Sequence, residues 1–530
     1  MEVLKVFVAD DVNEEKLEPL KAAGIKVVKK IKLAPDVLSK ELIDADGVIV
    51  RSATKISAEL MDGARRLRVI GRAGVGVDNI DIRAATERGI VVMNAPDGNT
   101  ITTAEHAVAL LVSMARNIPQ ADSTLRGGKW DKKSFVGVEL NGKTLGVIGL
   151  GRIGKHVVGI ARGFGMKIVA FDPFVSDEQA KEMGITVGSL DDLFAQSDFI
   201  TIHTPVTDET RGIFGREAFS KMKDGVRIVN CARGGLIDEA ALVAAIESGK
   251  VAGAALDVYE IEPLPEDSKL LGNPKIITTP HLGASTTEAQ EGVALTVAEQ
   301  MRDFLLFGEL RNAVNAPSLA AKELEALLPY IELAEDLGHL QAQVLDENAV
   351  SSVQIEYAGN LADKDASQAT RSFVAGLLQN VSARVNVVNS MHIAEERGIS
   401  ITTSYKQEAR ASDVDISTNV STRDGRSQTV SGKVYSDGQA RITRIGDFSI
   451  EAVPEGTMLI TKNRDVPGVI GKIGTLLGEK QINISRFYLG RNEKGGEALA
   501  VIEVDSEVSE DVINDLKQVE PVISVRLVKL

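Results

Sequence analysis

Val147-Ile148-Gly149-Leu150-Gly151-Arg152-Ile153-Gly154 closes the β-rich run TLGVIGL and leads straight into a helical pattern. A G-x-G-x-x-G in that strand-to-helix setting is a dinucleotide fingerprint. Gly149 makes the tight turn, Gly151 lets backbone approach a pyrophosphate, and Gly154 lets the helix pack on its strand, with the helix N-terminus facing the phosphates. Asp172 ends the next strand, KIVAFD, close to the roughly 20-residue spacing at which a carboxylate takes a ribose hydroxyl. Such a carboxylate repels a 2′-phosphate, so the expected cofactor is NAD rather than NADP.

The fingerprint sits inside a longer α/β series. From Lys143 to about Pro280 the strand-like runs TLGVIGL, KIVAFD, FITIHTP, RIVNCA, GAALDVY and KIITTP alternate with helical stretches of βαβ length. That pattern predicts a doubly wound parallel sheet. A first series precedes it, with KVFVA, KVV, GVIVRSA, RVIGRAG and IVVMN as strands and helices over 13–23 and 57–66. Between the two, Thr102-Thr103-Ala104-Glu105 reads as a capping box for a helix through Ala115, with Pro119 following its end. Ser285-Thr-Thr-Glu288 reads as a second capping box, for a helix running to Gly308. Residues 318–452 change texture, with long helical stretches, the strand VSSVQIEYAG and a polar tract from Ala411 to Gln428. From Thr457 to Leu530 the order is βαββαβ, the ferredoxin-like plan of a binding module.

Composition bounds the function. At 530 residues the chain is too long for one core and predicts about three or four domains. With 44% hydrophobic and 25% charged residues it is of ordinary globular make-up, and no apolar run reaches the roughly 18 residues a membrane span needs. The N-terminal MEVLKVFVAD has no signal-peptide pattern, which predicts a cytoplasmic protein. One cysteine permits no internal disulfide, and six scattered histidines show no zinc spacing, so no metal is expected. A net charge of -15 argues against nucleic acid as a partner.

Three pieces at strand ends carry the chemistry: Asn230-Cys231-Ala232-Arg233, Asp257-Val-Tyr-Glu-Ile-Glu262-Pro263 and Pro280-His281-Leu-Gly283. Ligands of an open α/β sheet lie outside the carboxyl ends of its strands, so the three can share one crevice. Taken singly, each has a structural explanation: a capping histidine, a surface ion pair, a turn. Taken together behind a nucleotide fingerprint they fit oxidation of a 2-hydroxy acid. His281 takes the hydroxyl proton, Glu262 holds the ring in one tautomer and stabilises imidazolium, and Arg233 grips the carboxylate with two parallel hydrogen bonds. Cys231 has no adjacent base and is read as backbone beside the cofactor, not as a nucleophile.

The runs GRAGVGVDNID (71–81), LGRIG (150–154), NCARGGLID (230–238), LDVYEIEP (256–263) and PHLGAST (280–286) together resemble the D-isomer-specific 2-hydroxyacid dehydrogenases. RSATKIS, NAPDGNT, RGGKWDKKSF and the two C-terminal segments narrow the resemblance to that family's long-form branch, which oxidises 3-phosphoglycerate. The resemblance implies a substrate-binding domain in two pieces, 1–98 and 286–316, with an NAD-binding Rossmann domain, 99–285, inserted between them. It further implies an intervening regulatory domain at 317–452 and an ACT domain at 453–530. Arg233, Glu262 and His281 are the implied catalytic residues. Implied cofactor contacts are Gly149, Gly151, Arg152, Ile153, Gly154, Asp172, Thr204, Cys231, Ala232, Arg233 and Asp257, the last near the nicotinamide amide.

A phosphorylated acid needs cations opposite the hydride-transfer centre. Arg51 with Ser52, Arg72 and Lys132-Lys133 are the candidates; the resemblance implies Arg51 on the phosphate, the Gly74-Val75-Gly76 turn on the carboxylate and Lys132 reaching a neighbouring subunit's site. ACT domains bind free amino acids, which implies L-serine as effector at Asn463, Asp465 and Asn483, in a homo-oligomer of two or four chains. Two rival readings stand beside this one: a glyoxylate or hydroxypyruvate reductase with the same triad, and a non-catalytic NAD-sensing scaffold or amino-acid sensor.

Overall fold

The computed structural model describes residues 3–317, 321–345, 350–380, 384–406 and 415–530. Its first sheet holds β1 (Lys5–Val8), β2 (Lys26–Lys29), β3 (Gly47–Val50), β4 (Val69–Arg72) and β5 (Val91–Asn94), all parallel, in the order β2-β1-β3-β4-β5. Strands covered on both faces read as unbroken apolar runs rather than alternations, which is why Gly47–Val50 is buried at every position. Helix Thr287–Phe307 packs on this sheet, with Val293, Val297, Met301 and Leu305 in one core with Val6, Val8, Val69 and Val91. The first lobe is therefore built from two separated stretches of chain.

The second sheet holds β6 (Thr144–Ile148), β7 (Lys167–Phe171), β8 (Thr186–Val187), β9 (Phe199–Ile202), β10 (Val226–Asn230), β11 (Val251–Leu256) and β12 (Ile276–Thr278). Their order is β12-β11-β10-β9-β6-β7-β8, parallel throughout, so the direction of winding reverses between β6 and β9. A crevice opens outside the strand ends at such a switch point. The fingerprint turn leaves β6 and Thr204 follows β9, so both stand at its mouth.

Two helix starts are corrected. The helix expected from Thr102 begins at Thr100, with Asn99 at its N-cap, because the Thr102 and Thr103 side chains are committed elsewhere. It ends at Ala115 as expected, and Pro119 beyond it opens a separate helix, Ile118–Arg126, where a missing N–H is harmless. The second capping position is Thr286 rather than Ser285, its hydroxyl accepting from the Ala289 N–H.

Beyond the second lobe, helices Ala321–Val344 and Ser367–Leu378 cover a six-stranded sheet. Of the polar tract 411–428, residues 411–414 lie outside the described residues. The remainder supplies the strand Ile416–Thr422 and the start of its antiparallel partner, Ser427–Val434. Ile416, Thr418, Val420 and Thr422 face inward there, so threonines hide the alternation that marks a half-buried strand. Asn386 donates to the Gly89 carbonyl at 2.8 Å and Val388 is buried within the first lobe's core, which fastens this region to that lobe. The last unit places strands Thr457–Arg464, Ile484–Arg491, Glu497–Val504 and Val522–Lys529 in the spatial order 2-3-1-4, antiparallel, as βαββαβ requires. Among the described residues no helix is long and apolar enough to cross a membrane.

Candidate active site

Gly149 turns the chain at φ +91°, and a Cβ there would press on the His203 carbonyl and the Thr204 methyl. A Cβ on Gly154 would collide with the Gly149 carbonyl, whereas Gly151 faces open space. The turn is thus closed on its sheet side and open on its crevice side. Asp172 braces it: one carboxylate oxygen accepts from Leu150 N at 2.7 Å, the other from Phe174 N at 2.9 Å. The buried Thr204 hydroxyl and His203 Nδ1 have no partner among the described residues, so polar atoms at the crevice await one. An open glycine turn, an adjacent carboxylate and an unsatisfied hydroxyl fit a dinucleotide. Burial pushes His203 down to about 4, so that ring is neutral at physiological pH. Ile153 packs on the lobe's core, while Arg152 pairs with Asp97 of the first lobe at 2.8 Å.

Across the crevice, His281 Nδ1 stands 2.7 Å from Glu262 Oε2. The other Glu262 oxygen accepts from Tyr259 N at 3.1 Å, so the carboxylate is fixed at both ends. The hydrogen bond from Glu262 raises the His281 pKa above the usual value against an opposing desolvation, helped by the charges of Glu262 and Asp257 and countered by Arg233. For Glu262, desolvation works upward and is outweighed by the hydrogen bond and charge of His281, so its pKa falls. Both shifts favour the same charged pair, and they are one coupled event rather than two.

Arg233 extends from the end of β10, with Asn230 shaping its turn by donating to the Arg233 carbonyl and accepting from Ala232 N. Its Nε donates to Asp78 at 3.2 Å and one terminal nitrogen to the Ala232 carbonyl at 2.7 Å. The other terminal nitrogen lies against Gly76, and the Arg72 guanidinium lies against Gly74; a Cβ on either glycine would collide with the arginine. Burial first, then the charges of Arg233 and Arg51, lowers Arg72 to about 10. Three guanidiniums gathered at one crevice form an anion-seeking cluster. Asn94 steadies the adjoining turn by donating to the Val75 carbonyl at 2.6 Å.

Asp10 and Asn79, which sequence reasoning missed, hold the Arg51–Thr54 loop. Asp10 accepts from Arg51 N at 2.6 Å and from the Thr54 hydroxyl at 2.6 Å, and Asn79 donates to the Arg51 carbonyl at 2.7 Å. The one signal for them was an acid ending the first strand, VFVAD. Arg51 lines a cavity of about 120 Å³ with Asn13, Ala73 and Gln290, and Ser52 is exposed beside it. Lys132 is exposed after Trp130 and takes no part in the contacts that join the arginines.

The expectation of no metal cluster needs correcting in one respect: the fold brings His106, Cys231 and Asp257 within 4.8 Å of one another from remote stretches of chain. Spacing along the sequence could not show this, since helix and strand ends converge only in the fold. Asp257 is already engaged, one oxygen accepting from Thr279 Oγ1 and Leu282 N and the other from Gly283 N. Burial and the nearby Asp257 push the Cys231 thiol upward, the opposite of nucleophile activation.

In the last unit, Asn463 is buried and donates to the Arg464 carbonyl at 2.8 Å. Asp465 accepts from Gly495 N at 3.1 Å, and Asn483 donates to Asp505 at 2.5 Å. All three stand at strand ends of the same sheet.

Residues 108–283 match the model for the D-isomer specific 2-hydroxyacid dehydrogenase NAD binding domain. Residues 326–446 match the D-3-phosphoglycerate dehydrogenase intervening domain, and 457–521 the ACT domain. D-3-phosphoglycerate dehydrogenase of Archaeoglobus fulgidus is 42% identical over 530 residues, covering 99% of this chain and all of that one. Among solved structures, NAD+-bound 3-phosphoglycerate dehydrogenase of Entamoeba histolytica superposes with TM-score 0.51 at 33% identity, over 60% of this chain and 100% of that one. A glyoxylate reductase of Paecilomyes thermophila gives 0.55 at 34% identity, over 59% of this chain and 99% of that one.

Proposed function

Since this chain belongs to the D-3-phosphoglycerate dehydrogenases of the D-isomer-specific 2-hydroxyacid dehydrogenase family, we propose that His281, Glu262 and Arg233 carry its oxidation of D-3-phosphoglycerate to 3-phosphohydroxypyruvate, the first step of L-serine biosynthesis. The enzyme is NAD-dependent, and NAD, when bound, supplies the acceptor for the hydride. The observation that carries the reading is the 2.7 Å contact between His281 Nδ1 and Glu262 Oε2. With Nδ1 committed to the carboxylate, Nε2 keeps the lone pair that accepts the hydroxyl proton. Glu262 stabilises the imidazolium so formed. Arg233 holds the substrate carboxylate and polarises the oxygen at the reacting carbon. The glycine turn, Asp172, Thr204 and the Cys231–Arg233 backbone would hold the cofactor, with Asp257 near the nicotinamide amide. The reading divides the chain into a substrate-binding domain at 1–98 and 286–316, an NAD-binding domain at 99–285, an intervening domain at 317–452 and an ACT domain at 453–530, and the packing of helix Thr287–Phe307 on the first sheet supports the two-piece first domain.

Arg51, Arg72 and the Gly74–Gly76 turn receive the two anionic ends of the substrate, Arg51 the phosphate. This separates the reading from a glyoxylate reductase, a name that a neighbour of the catalytic half bears. Arg51→Ala should raise KM for 3-phosphoglycerate about 100-fold, as a charge-assisted phosphate contact is worth about 1.5–3 kcal/mol. Its effect on reduction of glyoxylate should stay within about threefold. Equal losses on both substrates would favour the reductase.

The chain works in the cytosol as a homo-oligomer in which Lys132 serves a neighbouring subunit's site, and L-serine binds the ACT domain at Asn463, Asp465 and Asn483. Titrating L-serine into the full chain should depress initial velocity, and Asn483→Ala should move that curve to higher serine. A flat titration removes the effector.

A further inference from the structure

His281 occupies a turn that its own backbone disfavours, with φ +56° in the left-handed region. Such a residue persists only where its surroundings over-determine it. Asp257 does the nearer part of this by accepting from Leu282 N at 2.7 Å and Gly283 N at 2.8 Å. Two further side chains stand behind it, one helical turn apart on helix Thr100–Ala115. The buried Thr103 hydroxyl donates to the Gly283 carbonyl at 2.9 Å. His106 Nε2 lies 3.2 Å from Asp257 Oδ1 and 3.3 Å from Thr279 Oγ1. The Thr279 hydroxyl already donates to Asp257, and a carboxylate only accepts, so His106 Nε2 carries the proton and donates to both.

The place of these contacts in the chain matters. Helix Thr100–Ala115 is where the chain first crosses between the lobes, and Gly283–Thr287 is where it crosses back. Thr102 Oγ1 lies 3.2 Å from Thr286 Oγ1, so the two crossings are laced together beside the turn that holds the base.

We propose that Thr103 and His106 are positioning residues that aim His281, acting through the Gly283 carbonyl and the Asp257 carboxylate, so that the two lobe crossings set the base's direction. The inference rests on the reading of His281 as the proton acceptor. It adds a role to a helix that carries no catalytic group and otherwise serves the core it shares with Leu150.

The groups facing the His281 ring are Glu262, Asp257 and Arg233. A slackened turn loosens the Glu262 contact, which lets the His281 pKa fall back toward its ordinary value. The test is NADH production by the full chain with 3-phosphoglycerate, followed across pH. Thr103→Val keeps shape and removes the hydroxyl; it should lower kcat about tenfold, leave KM for NAD within about twofold, and move the acidic limb of the kcat profile to lower pH. Thr103→Ser should restore rate and limb to within about twofold. His106→Leu should behave like Thr103→Val, and His106→Gln, which keeps a donor, should recover part of the loss; this second pair decides the matter if Thr103→Val does not fold. Unchanged kcat in Thr103→Val and His106→Leu overturns the proposal, and so does a loss that tracks folded fraction with an unmoved limb and no rescue by serine. Failure of His281 itself as the base is seen separately, as a silent His281→Asn.

Discussion

His281→Asn is expected to lower kcat for oxidation of 3-phosphoglycerate about 10³-fold while leaving NAD affinity within about threefold, because general-base assistance is worth about 10²–10⁴ and nothing nearby can replace it. Glu262 has its pKa depressed by the partner it would lose and sits behind the ring rather than at the substrate. Cys231 is held protonated by burial, and His203 is spent on Thr201 at 2.9 Å. Asparagine preserves the polar contact to Glu262 and tolerates the left-handed backbone at this position, so the loss reports the base and not the turn. Stopped-flow hydride transfer and equilibrium NAD titration check the two halves.

The same residue sets the pH behaviour. Oxidation needs the neutral ring, so its rate rises with pH through a pKa lifted above 6.5; reduction needs imidazolium and falls over the same interval. A raised folded-state pKa also means that the stabilisation of the charged pair is fully present below 6.5 and is lost as pH rises through the folded value. Both dependences should vanish together in His281→Asn. A rate profile that flattens while the stability profile keeps its slope would assign that slope to another group.

What the sequence could and could not reveal divides along a physical line. Continuous apolar strands buried on both faces, a glycine turn and the residues at strand ends are local patterns, and they led from Gly149, Arg233, Glu262 and His281 to the crevice. The edge strand Thr186–Val187 is too short to show a period. Asp10, Asp78 and His106 are ordinary polar residues along the chain. Their meaning comes from groups 41, 155 and 173 positions away. The hairpin from Ile416 to Val434 was hidden for a related reason: threonines such as Thr418 point inward and are satisfied there by Gln341, a partner set by another element. Lys132 is the reverse case, a residue assigned from resemblance that no contact among the described residues draws toward the arginines.

Arg233→Lys is expected to reduce kcat/KM about 10²–10³-fold, the range found when a donor to a developing oxyanion is removed. Charge alone is kept in this variant, so geometry carries the argument. Of the three guanidinium nitrogens, one holds Asp78, one holds the Ala232 carbonyl, and the third lies over Gly76 on the side where the substrate carboxylate is to bind. A lysine ammonium is a single point, and it either answers Asp78 or faces the substrate. On the proposed role, in which Arg233 both grips the carboxylate and polarises the reacting oxygen, the loss should divide between kcat and KM. Asp78→Asn in the lysine background frees the ammonium and should recover KM more than kcat. If both parameters recover equally, Arg233 acts as simple charge; if the single substitution costs less than about tenfold, the anchor for the carboxylate is Arg72, whose guanidinium lies against Gly74 in the same turn.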